Sequence, residues 1–269
     1  MARTPLARTT VRDALDSALI ALTAAGCDTP RLDAEVLLAA ALGVDRAALI
    51  ADPGRGVEPE PFREYVRRRA QREPVAYILG RKGFRRLELE VDPRVLIPRP
   101  ETEHVVEAAL SLPTGARVVD VGTGSGAIAL ALADERPDLR VVGTESSPGA
   151  LAVARANADR LGLDVELMEG DLLEPVTGPV DAVVCNPPYV RDGERLARDL
   201  AYEPAEALYA GPTGLEIYRR LGPALADVPF VALEVGAGQA RDVAALLEGF
   251  EIEIVRDLAG IERVVVARR

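Results

Sequence analysis

Val118-Val119-Asp120-Val121-Gly122-Thr123-Gly124-Ser125-Gly126-Ala127-Ile128-Ala129-Leu130-Ala131-Leu132-Ala133 decides the fold of this 269-residue chain. A short β-branched run breaks into alternating glycines and resumes as an apolar helix, the pattern of a buried strand, a tight turn and a helix packed back on it. Strand-like and helix-like segments alternate around it. Strands are expected over 117–121, 140–144, 165–168, 180–185, 229–235, 250–256 and 261–267, and helices over 126–134, 148–161, 215–226 and 238–248. Such alternation predicts an α/β fold whose seven-stranded, mostly parallel sheet carries helices on both faces. No helix separates the last two strands, so they are expected to pair antiparallel.

A glycine-rich turn between strand and helix lets a ligand approach the backbone and presents helix N–H groups. Glu145 closes the next strand, where an acid can accept bonds from both hydroxyls of a ribose. Gly122, Gly124 and Ala127 also satisfy the dinucleotide fingerprint, so these features alone leave a nicotinamide enzyme open. Gly170-Asp171 ends the following strand. The one after it runs into Asn186-Pro187-Pro188-Tyr189. Two prolines stiffen that tetrapeptide, and Pro188, lacking an N–H, leaves the Pro187 carbonyl free to accept a bond. With the Asn186 oxygen as a second acceptor and Tyr189 as a flat wall, it suits a planar group bearing an NH2. A glycine loop, two acids and a planar-amine receptor at four successive strand ends are what an S-adenosylmethionine enzyme needs. Hydride transfer has no evident use for the last.

Composition narrows the classes. The chain is 48% hydrophobic and 28% charged, the balance of a soluble globular protein. A net charge of −11 argues against broad nucleic-acid binding. Arg63, Arg67, Arg68, Arg69 and Arg72 form a local basic cluster on a predicted helix over 61–72, readable as a solvated face or a docking surface. No apolar run reaches the ~18 residues of a membrane helix, and no signal-peptide core precedes the first helix. Two cysteines cannot build a disulfide framework, so a reducing cytoplasm is expected, with Cys185 as inert core. His104 is the one histidine, which gives no support to a His-rich metal site or a Ser-His-Asp triad.

Ahead of the sheet the pattern is helical. Residues 1–9 read as a loose tail. Thr10 and Asp13 cap a helix carrying Val11, Leu15, Leu19 and Leu22 inward, and Asp28-Thr29-Pro30 opens a second that Gly43 closes. A short turn over 45–51 follows, then the arginine helix with Phe62, Tyr65 and Val66 facing in. Tyr77-Ile78-Leu79 and the alternating Leu87, Leu89 and Val91 read as the arms of a hairpin turned at 80–83. The expected organisation is a helical domain over 1–74, a β-hairpin linker over 75–98 and a catalytic domain over 99–269.

The chain is similar to class I S-adenosylmethionine-dependent methyltransferases and, more narrowly, resembles the peptide chain release factor glutamine methyltransferases. The resemblance rests on Glu73-Pro74-Val75-Ala76-Tyr77-Ile78-Leu79-Gly80, Leu96-Ile97-Pro98-Arg99-Pro100-Glu101-Thr102-Glu103, residues 120–128, Asn186 to Tyr189, and Tyr202-Glu203-Pro204 with Ala207-Leu208. Asn-Pro-Pro-Tyr alone also occurs in methyltransferases acting on adenine and ribosomal RNA, the alternative reading; the combination is narrower. The resemblance implies methylation of the side-chain amide nitrogen of the glutamine in the Gly-Gly-Gln loop of class 1 release factors. It implies S-adenosylmethionine contacts at Gly122, Thr123, Gly124, Ser125, Gly126, Glu145, Asp171, Leu172 and Asn186. The substrate glutamine would lie on Asn186, Pro187, Pro188 and Tyr189, with Asn186, Pro187 and Tyr189 carrying catalysis by positioning. Glu145 stands where the family often has Asp, Leu172 where some members have an aromatic ring, and Arg85-Arg86 where Trp-Gly often follows the phenylalanine. A cytoplasmic monomer with no membrane or direct nucleic-acid partner is expected, its helical domain docking the protein substrate.

Overall fold

The Thr10 side chain accepts the N–H of Asp13 while Asp13 accepts that of Thr10. This capping box starts α1 (Val11–Ala24) in the computed structural model, which describes residues 9–58 and 60–269. The expected tail therefore lies almost wholly outside the described residues. Pro30 opens α2 (Pro30–Leu42), Gly43 closes it at φ 63, and Asp45 caps α3 (Arg46–Ala51). Helices α4 (Phe62–Ala70) and α5 (Val75–Leu79) follow. Leu15, Leu22, Leu37, Leu38 and Phe62 bury into one apolar cluster, with Tyr65 and Val66 packed against it. The compact unit they form extends to Gly80 and includes a later segment, Ala197–Tyr202.

That segment is held by the arginine helix. Arg69 donates to Asp33 at 2.7 Å and pairs with Asp199 at 2.8 Å, while Arg72 binds Asp199 and the Gly26 carbonyl. The Tyr202 hydroxyl donates to the Gln71 carbonyl at 2.9 Å. Arg68 is engaged by Glu73 at 2.5 Å. Of the five clustered arginines only Arg63 and Arg67 are exposed, so the expected basic face shrinks to two residues. The reason lies in helical spacing: 62, 66 and 69 share one stripe, which turns Arg69 inward behind Phe62 and Val66.

Val75–Leu79 is helical, so Tyr77-Ile78-Leu79 is not the expected hairpin arm. Pro74 at φ −59 starts it and Gly80 at φ 70 ends it, the proline-first, glycine-last asymmetry acting on one turn and a half. The hairpin lies one step later, β1 (Arg81–Phe84) against β2 (Leu87–Glu90), with Phe84 opposite Leu87. Arg85 takes the turn at φ 52.

The second unit, Arg81–Leu196 with Glu203–Arg269, carries the sheet. After a 3₁₀ turn at Pro100–Thr102 and α6 (Glu103–Ala109), the chain alternates β3 (Arg117–Val121), α7 (Ala127–Glu135), β4 (Arg140–Glu145), α8 (Pro148–Leu161), β5 (Glu166–Glu169) and β6 (Ala182–Cys185). A short parallel pair, β7 (Val190–Arg191) with β8 (Tyr209–Gly211), precedes α9 (Glu216–Leu221), β9 (Phe230–Glu234), α10 (Ala240–Ala244), β10 (Glu251–Arg256) and β11 (Glu262–Arg268). The seven strands order as β10-β11-β9-β6-β3-β4-β5, all parallel except β11. The predicted antiparallel last pair is present. Val118 and Val184 feed the core on one face, Val119, Val183 and Val231 that on the other, which is why these strands read as unbroken apolar runs. From β3 the chain winds outward through β4 and β5, then returns to β6 on the opposite side. The β3/β6 boundary is thus a topological switch point, where open sheets hold ligands. Among the described residues no helix is long and apolar enough to cross a membrane.

Candidate active site

Val121 ends β3 and pairs in register with Cys185 at the end of β6. The residues that follow, Gly122 and Asn186, therefore emerge side by side at the switch point. Both line one cleft. Gly124, Glu145, Asp171, Leu172, Pro187 and Pro188 line it too. Thr123, Ser125 and Gly126 do not; they lie beneath and hold the loop. The Thr123 hydroxyl donates to Asp120 at 2.6 Å, and Asp120 also accepts the Ala129 N–H at 3.1 Å. Burial outweighs these two bonds and pushes the Asp120 carboxyl up to about 7. The Ser125 carbonyl accepts from the buried Asn157 amide, whose side chain also pairs with both backbone groups of Glu90 in β2. A sequence reading of the loop finds the glycines but not Asn157.

Gly122 and Gly124 adopt φ 70 and 59, and a Cβ on Gly122 would meet nothing within 4 Å. That bare backbone at the cleft leaves room for a ligand. Glu145 is turned onto the loop: Oε2 accepts the Gly124 N–H at 3.0 Å and Oε1 the Ser147 N–H at 2.8 Å. Two backbone donors fix the carboxylate, and each oxygen keeps a lone pair for a hydroxyl. Asp171 is paired with Arg220 of α9, and Leu172 sits at φ 49, a left-handed backbone uncommon for leucine. A bare glycine loop, a fixed acid on the neighbouring strand and an apolar side chain on the next fit S-adenosylmethionine.

The opposite wall comes from residues that motif spacing did not single out for this role. Arg94, Val95 and Leu96 line the cleft together with Pro204, Glu206 and Ala207. The buried Glu203 carboxylate ties these segments by accepting from the Ile97 N–H at 3.0 Å and from Arg99 at 2.5 Å. This accounts for the Tyr202-Glu203-Pro204 stretch.

The tetrapeptide is held at both ends. Asn186 Nδ2 donates to the Thr102 hydroxyl at 2.9 Å. Gln239 Nε2 donates to the Tyr189 carbonyl at 3.1 Å and to the Gly214 carbonyl at 3.3 Å, while its oxygen accepts the Gly236 N–H. Tyr189 does not line the cleft; its ring is half-buried against the second apolar cluster, and burial raises its phenol to about 12. Thr102, Glu234 and Gln239, which surround the tetrapeptide, lie 84, 48 and 53 positions from Asn186 by numbering. The available signal was Glu234, an acid closing an otherwise apolar strand, since buried charge is rarely without purpose.

Residues 13–80 match the family model described as the PrmC N-terminal domain, and residues 102–212 that of the methyltransferase small domain. The chain is 43% identical to the release factor glutamine methyltransferase of Geobacter sulfurreducens, over 96% of either chain. It is 41% identical to that of Koribacter versatilis, over 97% of this chain and 99% of the relative. Among solved structures a methyltransferase from Pyrococcus furiosus aligns with TM-score 0.52 at 19% identity, over 68% of this chain and 88% of its own, a likeness of fold.

Proposed function

We propose, since the chain belongs to the release factor glutamine methyltransferase family, that it methylates the side-chain amide nitrogen of the glutamine in the Gly-Gly-Gln loop of class 1 release factors. The observation that carries this reading is the shared cleft at the switch point: the glycine loop on one side, Asn186 and Pro187 on the other. S-adenosylmethionine, when bound, supplies an electrophilic methyl group on a sulfonium. Gly122 and Gly124 give it backbone room, and Glu145 accepts its ribose hydroxyls.

An amide nitrogen is a poor nucleophile because its lone pair is delocalised, so positioning carries the catalysis. Asn186 spends its NH2 on Thr102, which leaves Oδ1 to accept one N–H of the substrate amide. The Pro187 carbonyl, followed by a residue without an N–H, accepts the other. Together they hold the nitrogen in line with the methyl, an arrangement worth about several kcal/mol. Their partial negative charge also stabilises the positive charge growing on nitrogen. Tyr189, whose ring lies behind the tetrapeptide and not in the cleft, backs the stiff loop that presents these two acceptors. The amide proton leaves to water after transfer.

Arg63 and Arg67, the two exposed members of the five-arginine cluster, are the residues of that cluster available for docking the protein substrate. The enzyme acts in the cytoplasm, where release factors work, and as a monomer. Mass spectrometry of a recombinant release factor after incubation with the chain and S-adenosylmethionine tests the reading. A single methyl on the Gly-Gly-Gln glutamine is the expected product. Methyl transfer to ribosomal RNA or DNA instead would overturn it.

A further inference from the structure

The turn between β10 and β11 leaves apolar side chains bare at the end of the sheet where the cleft opens. Among the described residues of the second unit, Leu258 and Ile261 are the two large apolar side chains that stay exposed, Leu258 fully so at 107%. A lone exposed leucine means little. This one is held out by its own turn. One Asp257 carboxylate oxygen accepts the N–H groups of Ala259 at 2.9 Å and Ile261 at 3.0 Å, and the other accepts from the Arg263 guanidinium at 2.8 Å. The Arg256 side chain donates to the Gly260 carbonyl at 2.9 Å, and Gly260 takes φ 78 to close the loop. Polar side chains thus fix the backbone while the two apolar ones face solvent, so the turn is ordered before any partner arrives.

Strand register places the turn. Cys185 of β6 pairs with Leu233 of β9, and Glu234, next on β9, pairs with Val264 of β11. Asn186, Glu234 and Val264 therefore stand at one level, on neighbouring strands. Strand β11 enters the sheet at Glu262, so the turn over 257–261 projects past that level, beyond the end from which Asn186 emerges. Strands lie about 4.8 Å apart, which puts β11 and β10 roughly 10–15 Å across the sheet from β6. A protein–protein patch of about 800 Å² per partner spans more than that. The supporting frame is also continuous. Arg263, bonded to Asp257, pairs with Glu101 at 3.5 Å, and the next residue, Thr102, holds the Asn186 amide at 2.9 Å.

We infer that the β10–β11 turn is a docking contact for the protein substrate, with Leu258 and Ile261 seated against an apolar patch beside the loop that carries the target glutamine. The inference rests on the release factor reading. A glutamine side chain held at Asn186 ends well short of the turn, so only the folded protein around that glutamine makes this contact. The glycine loop and Glu145 end β3 and β4, on the other side of β6 from β9, β11 and β10. The turn therefore lies on the side of Asn186 away from the proposed cofactor. Burying its two apolar side chains favours association with the substrate protein and leaves the methyl donor and the reacting groups untouched.

The test is steady-state kinetics of the full chain with a recombinant release factor and saturating tritiated S-adenosylmethionine, together with the Kd for S-adenosylhomocysteine by calorimetry. Leu258→Ser should raise KM for the release factor about 10-fold, the effect of leaving one leucine without its apolar partner. Its kcat and its Kd for S-adenosylhomocysteine should stay within about 2-fold of wild type. Leu258→Met should keep KM near the wild-type value. Leu258 is fully exposed in the free chain, so Leu258→Ser should also keep the wild-type urea midpoint, which separates a raised KM from misfolding. An unchanged KM for Leu258→Ser, or a fall in kcat with KM unchanged, would overturn the inference. Sedimentation of the chain alone covers another occupant: a wild-type dimer that Leu258→Ser splits, with KM unchanged, would give the turn to a second copy and overturn it too. Wild type inactive on the release factor would remove the substrate reading and this inference with it; active wild type with an indifferent Leu258→Ser removes the inference alone.

Discussion

Glu145 Oε2 lies 3.0 Å from the backbone nitrogen of Gly124, so the acid ending β4 is hydrogen-bonded to the glycine loop ending β3. The same carboxylate holds the Ser147 N–H, at the start of α8, through its other oxygen. One side chain therefore shapes the loop and, in the proposed reading, would offer the ribose its acceptors.

Glu145→Gln keeps the size but puts an NH2 where one of two backbone donors needs an acceptor. A charge-assisted hydrogen bond is worth roughly 1.5–3 kcal/mol, so affinity for S-adenosylhomocysteine should fall about 10- to 100-fold. Calorimetric titration measures it. Glu145→Asp should also weaken binding, because the shorter chain cannot reach both nitrogens at once.

Two glycines of the loop separate stability from binding. Gly126 sits at φ 86, and a Cβ there would lie 2.8 Å from Leu130 Cδ1 in the packed core. Gly126→Ala combines a left-handed backbone with overpacking and should cost about 2–4 kcal/mol in urea unfolding. Gly122 sits at φ 70 with nothing within 4 Å of the same position. Gly122→Ala should cost only about 1–2 kcal/mol of strain, yet its methyl enters the cleft and cofactor affinity should fall further than stability does.

The sheet was legible because its central strands are buried on both faces and written in valine, and because glycine and proline mark their ends. The same logic missed α5: five residues rich in valine, tyrosine and isoleucine look like a strand, and only the flanking Pro74 and Gly80 turn them helical. Charge misled at Arg69, since a cation on a helix reads as solvated until its spacing from Phe62 is counted. The residues proposed for the cofactor could be read locally, since each ends or follows a strand. What holds Asn186 and Tyr189 could not, because Thr102 and Gln239 reach them from the turn before α6 and the start of α10 through side-chain bonds that leave no periodic trace.

Arg69 is 4% exposed and bound to Asp33 and Asp199. Arg69→Met removes the cation and leaves two carboxylates facing each other, so unfolding free energy should drop by about 3–5 kcal/mol. Arg67 and its partner Glu64 are both exposed, so Arg67→Ala should leave the urea midpoint close to that of wild type. Equal urea midpoints for the two variants would contradict this division of the arginine helix.

Asp120 gives stability a pH signature. Its carboxyl is raised from 3.8 to about 7 by burial, so between those values the unfolded chain ionises there while the folded chain keeps its proton. The unfolded state then binds fewer protons, and stability falls as pH rises, by at most about 1.4 kcal/mol per pH unit from this group. Asp120→Asn cannot titrate, so its stability should decline less than that of wild type between pH 4 and 7. Glu234, its carboxyl also pushed up to about 7 by burial, adds a slope of the same sign in both proteins, which is why the difference between them, from urea midpoints at several pH values, is the quantity to measure.

Asn186→Ala and Gln239→Leu attack the two ends of the tetrapeptide and should differ in kind. Removing the Asn186 side chain deletes one of two acceptors for the substrate amide, and kcat should fall about 100-fold or more, the scale of one preorganised polar group at a reacting centre. Asn186 also lines the cofactor cleft, but glycine-loop contacts and Glu145 remain, so S-adenosylhomocysteine should still bind. Gln239 touches no reacting group; it fixes the Tyr189 and Gly214 carbonyls and the Gly236 N–H. Gln239→Leu strands those buried backbone groups, so stability should fall by about 1–3 kcal/mol, and kcat should fall because Tyr189 and, through the stiff prolines, Pro187 lose their setting. The two losses should part under a weaker demand on geometry: at saturating substrate and lower temperature Gln239→Leu should recover part of its turnover as the segment from Pro187 to Tyr189 tightens, whereas Asn186→Ala, lacking the acceptor itself, should not.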